Sequence, residues 1–134
     1  MSHLYKVILC VLLLFPFLSQ SQVTITSPLS RAVYQRVNDQ ASITVAGMYN
    51  EKVDYIQARF VPISGGNIGP NKAVDEGWKL LWQFPGHTTS TPSNGYFEGT
   101  LMVKSGWYDL KVRAYRDGNP IGQESTLSKV GVGE

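Results

Sequence analysis

The stretch from 105 to 118, SGWYDLKVRAYRDG, constrains the fold more than any other part of this chain. Tyr108, Leu110, Val112 and Ala114 fall on one side of an extended backbone, and Asp109, Lys111 and Arg113 on the other. That period of two describes a strand with one dry face and one wet face. Gly106, just before it, can take the positive φ that a sharp corner demands. Asp117-Gly118, with Asn119-Pro120 following, is tight-hairpin chemistry. The stretch therefore predicts a strand that reverses at both ends.

The rest of the chain repeats that theme. Residues 23–26 form a short apolar-polar run closed by Ser27-Pro28, and 32–36 form a second short extended piece before a turn at Asn38-Asp39. Ile43 and Val45 alternate with Ser42, Thr44 and Ala46. Further on, Ile56, Ala58 and Phe60 share one face against Tyr55, Gln57 and Arg59. Residues 78–84 are extended but alternate poorly because Leu80 and Leu81 are adjacent, and Phe97, Gly99, Leu101 and Val103 oppose Tyr96, Glu98, Thr100 and Met102. A final extended run covers 121–132. Between these lie two Gly-, Pro- and Asn-rich stretches, 62–77 and 86–94, which read as loops. With no long helical period, the expected fold is all-β, an antiparallel β-sandwich of about seven or eight strands over residues 22–134.

The N-terminal segment 1–21 reads as a signal peptide. A weakly basic start with His3 and Lys6, an apolar run from 7 to 18, and Ser19-Gln20-Ser21 follow in the order that export requires. The apolar run is shorter than the roughly 20 residues of a membrane span. The expected location is therefore secreted or periplasmic. Cys10 is the only cysteine and lies in this leader, so the exported domain has no disulfide, no cysteine nucleophile and no cysteine-ligated metal. The formal charge of +2 falls to +1 without Lys6, and no basic block points to nucleic acid.

Catalytic patterns are missing. His87, the one histidine beyond the leader, sits among Gly, Thr, Ser and Pro, and there is no Gly-x-Ser-x-Gly elbow, phosphate loop or calcium-loop spacing. Asp75 and Glu76 are neighbours in sequence and not a pair set across a cleft. We expect no catalytic residue, no metal and no cofactor. Trp78, Trp82, Tyr96 and Trp107 are the candidate contact residues. Together they would offer a platform for a glycan ring, with the segments around Asn67 and His87 beside it. The alternative is that Trp78 and Trp82 fill the core while Trp107, out of phase with Tyr108, covers a domain contact.

Two resemblances sharpen these expectations. The spacing of Gly106, Tyr108 and Leu110 resembles the F strand of immunoglobulin and fibronectin type III-like sandwiches, with Leu110 where antibody domains carry a cysteine. There a tyrosine hydroxyl bonds back to the upstream backbone. Tyr108 is read as that corner or as an ordinary core aromatic. The tail LSKVGVGE, with VYQR at 33–36, IQAR at 56–59 and GWYDLKVRA at 106–114, is similar to the N-terminal sandwich of secreted SGNH-type carbohydrate esterases related to sialate O-acetylesterases. The resemblance implies a non-catalytic accessory domain. It makes Gly131, Gly133 and Glu134 the junction to a following esterase domain, whose Gly-Gln-Ser-Asn block this sequence does not include. The competing reading is a free-standing glycan-binding or adhesive sandwich.

Overall fold

The computed structural model describes residues 23–63, 73–85 and 94–133. Residues 1–21, expected from the sequence to be a signal peptide, and Asn67, His87 and Glu134 lie outside them. Eight strands follow one another: β1 (Val23–Ser27), β2 (Val33–Gln35), β3 (Gln40–Tyr49), β4 (Tyr55–Pro62), β5 (Lys79–Gln83), β6 (Gly95–Lys104), β7 (Gly106–Arg116) and β8 (Asn119–Gly133). They form a three-stranded sheet ordered β1-β3-β6 and a five-stranded sheet ordered β2-β8-β7-β4-β5. This is the two-sheet plan of an immunoglobulin-like sandwich, β3 and β4 being its B and C strands and β7 its F strand.

The alternation in the sequence becomes the core between the sheets. Ile43 and Val45 of β3 and Phe97 and Val103 of β6 meet Ile56, Ala58 and Phe60 of β4 and Leu110, Val112 and Ala114 of β7. Val130 and Val132 of β8 close the layer. Each large apolar side chain so buried contributes about 1.5–3 kcal/mol relative to exposure, and in a domain without cysteine that packing supplies the cohesion. Ser125 of β8 also donates to the Val23 carbonyl of β1, tying one sheet to the other.

Two turns follow their residues directly. Asp117 and Gly118 join β7 to β8 with φ of 52° and 78°, the left-handed pair of a type I′ hairpin. Asn38 and Asp39 do the same ahead of β3, with φ of 57° and 64°.

Three features depart from the expected pattern. β2 pairs parallel to β8, Val33 opposite Gly131 and Gln35 opposite Gly133, so the sandwich is not wholly antiparallel. The chain leaves β1 through a cis Ser27–Pro28 bond and enters the opposite sheet as β2. In β5 the register against β4 slips between Trp82 and Leu80. That bulge turns Leu81 into the core and leaves Leu80 54% exposed, which resolves the two adjacent leucines. β8 carries two further register shifts against β7, with Lys129 and Gly122 at positive φ, so its alternation is not continuous.

Candidate functional site

The corner between β6 and β7 fixes the end of the molecule where the terminal strand lies. Only Ser105 separates the two strands, although they belong to different sheets. Ser105 is fully buried. Its backbone N–H and its hydroxyl both donate to the Asp39 carbonyl, at 2.9 and 3.0 Å, locking the corner to the turn before β3. Gly106 follows at φ 150°. Tyr108, with no exposed surface, donates its hydroxyl to the Lys104 carbonyl at 2.7 Å. Burial pushes its pKa up from the ordinary phenol value. Tyr108 is thus the corner tyrosine and also a core ring, edge-on to Phe60 at 5.9 Å.

Beside this corner, Trp107 sits opposite Gly131 on β8. A Cβ on Gly131 would stand 2.8 Å from the indole ring, so glycine is what lets the ring lie flat across the strand. Gly131 lies within β8 and Gly133 is its last residue, both paired with β2 on one side. Val130, Gly131, Val132 and Gly133 are all buried. The Arg36 N–H adds a bond to the Gly133 carbonyl at 2.8 Å. The Trp107 Nε1 is buried and has no hydrogen-bond partner among the described residues. Around β2, Leu29 is 73%, Val33 48% and Val37 70% exposed.

Trp78, at the entrance to β5, belongs to the outer face of the five-stranded sheet, where the Arg113 guanidinium lies 5.3 Å from its ring centre. On that face Glu124 accepts from Lys111 at 3.0 Å and Arg113 at 3.1 Å, and Tyr55 stacks on Tyr115 at 4.8 Å. Arg59 grips Asp75 through both its Nε and Nη2, while Glu76 turns to Lys79. The Arg59 bond, helped by the Gly77 N–H, holds the Asp75 carboxyl below its ordinary pKa. These charges are matched within the sheet. Asp75 and Glu76 are thus each taken up by a separate cation.

Trp82 goes elsewhere. It packs against the core, 5.5 Å from the Tyr49 ring and 6.2 Å from Phe84. Tyr96 stands on the outer face of the three-stranded sheet, 78% exposed. The structure therefore does not gather Trp78, Trp82, Tyr96 and Trp107 into one platform; it distributes them over two outer faces and the core.

Sequence reasoning missed a concavity beside Tyr96. Thr24, Met48 and Tyr96 are consecutive partners across β1, β3 and β6, and with Asn50 and Asn94 they line a hollow of about 470 Å³. Tyr96 was legible as an outward residue, but its neighbours depend on register. Among the described residues, no group of His, Cys, Asp and Glu could hold a metal ion, and no helix is long and apolar enough to cross a membrane. No protein-family model matches the chain, and no curated protein gives a significant match.

Proposed function

We propose that this chain is an exported, non-catalytic accessory sandwich that packs on and orients a carbohydrate esterase domain of the sialate O-acetyl type. The observation that carries the reading is the character of the terminal strand and its border. At its end, residues 130–133 of β8 are buried, residues 131–133 are paired with β2, and Trp107 lies over Gly131, so this end of the strand would give a fixed direction to a domain joined to it. The exposed Leu29, Val33 and Val37 beside it are the apolar groups a packed neighbour would cover. The resemblance of the LSKVGVGE tail to the esterase junction supplies the neighbour's identity.

The reading frame past Glu134 tests the proposal first. A strand followed by a Gly-Gln-Ser-Asn block is expected, and a stop codon directly after Glu134 would sink the reading. In a protein carrying both domains, amide exchange at Val33, Val37 and Trp107 should be slower than in the sandwich alone. The sandwich by itself should neither hydrolyse 4-nitrophenyl acetate nor take up a fluorophosphonate probe. Labelling of the sandwich would make it an enzyme and overturn the reading.

A further inference from the structure

We infer that the hollow on the outer face of the three-stranded sheet is a binding site for one neutral hexopyranoside ring, with Tyr96 as its stacking surface. The size is right: about 470 Å³ lies within the ~300–1,000 Å³ of small-ligand sites. The floor is a straight row in which Thr24 pairs with Met48 and Met48 with Tyr96. All three side chains point out, Met48 being 42% and Tyr96 78% exposed. An aromatic ring left that open on a strand gains nothing for the core. It presents a flat apolar face that suits the axial C–H groups of a pyranose.

The end of the row supplies the polar half. Tyr49 is buried with its ring lying across Gly95, where a Cβ would come within 2.7 Å of the ring. That close approach leaves Asn50 and Asn94, both exposed, at the rim of the same hollow. Each amide offers an acceptor and two donors, the combination that vicinal hydroxyls satisfy. Among the described residues no charged side chain lines the hollow, so its known lining favours neither an anion nor a cation, and the ligand class is a neutral sugar. This site lies on the sheet opposite Trp107. It stands or falls independently of the accessory role, because a neighbour covering β2 and β8 would leave Tyr96 open.

The test is a titration of the 15N-labelled protein with methyl β-D-galactopyranoside, methyl β-D-glucopyranoside and methyl α-D-mannopyranoside, with sorbitol as an open-chain control. At least one pyranoside should shift the amides of Met48, Asn50, Asn94 and Tyr96 with a Kd near 1 mM, roughly the affinity of one small ring. Sorbitol, which has the hydroxyls but no flat face, should bind at least about fivefold more weakly. Tyr96→Ala should weaken the pyranoside about tenfold and Tyr96→Phe less than about twofold. The exposure of Tyr96 keeps both variants folded. Absence of shifts up to about 50 mM of all three pyranosides, shifts centred elsewhere, or equal binding by Tyr96→Ala would each overturn the assignment.

Discussion

Replacing Tyr108 by Phe removes one oxygen from the centre of the fold and measures what the corner is worth. That oxygen belongs to a residue with no exposed surface and donates to the Lys104 carbonyl at 2.7 Å. The edge-on contact with Phe60 survives the change, so the loss is confined to hydrogen bonding. One such bond has a net value of about 0.5–1.5 kcal/mol, and a buried group left without a partner costs about 1–3 kcal/mol. Lys104 is exposed, so its carbonyl recovers part of its solvation. We therefore expect a destabilisation of about 2 kcal/mol and a Tm lower by roughly 6–12 °C. Urea unfolding should show a lower midpoint at an unchanged slope, since the buried surface is the same. Tyr96→Phe is the control: at 78% exposure it should change stability by less than about 0.5 kcal/mol. A loss below about 0.5 kcal/mol for Tyr108→Phe would refute the argument that the hydroxyl holds the β6–β7 corner.

Other outcomes follow from close contacts and charges. Gly131→Ala places a methyl 2.8 Å from the Trp107 ring and should cost about 1–3 kcal/mol, with a changed near-ultraviolet circular dichroism signal from the displaced indole. Gly99→Ala is expected to be worse, because its methyl would collide with the Leu81 backbone carbonyl, which cannot rotate away; failure to accumulate as folded protein is the readout. The Asp75 carboxyl, held below its ordinary pKa by Arg59, contributes stability that is present above the unfolded value of about 3.9 and is lost as pH falls through the folded value. Asp75→Asn should therefore flatten the acid limb of the stability curve below about pH 4. Tyr108 has the opposite sign: its raised pKa makes stability complete below about pH 10 and lost above it, and Tyr108→Phe should shallow the alkaline limb.

The residues themselves determined a good deal. The alternation of Tyr108, Leu110, Val112 and Ala114 specified a half-buried strand, and Asp117-Gly118 specified the turn after it, because each preference is settled within a few bonds of the backbone. The inward faces of β3, β4 and β6 were legible on the same ground. The tertiary structure alone decided which strands pair and in what register. Only there do Thr24, Met48 and Tyr96 form a row, Leu81 go inward while Leu80 stays out, β2 run parallel to β8, and Ser105 reach Asp39 across 66 positions of chain. Pairing is chosen by burying two faces at once between segments distant in sequence, and no local pattern carries that information.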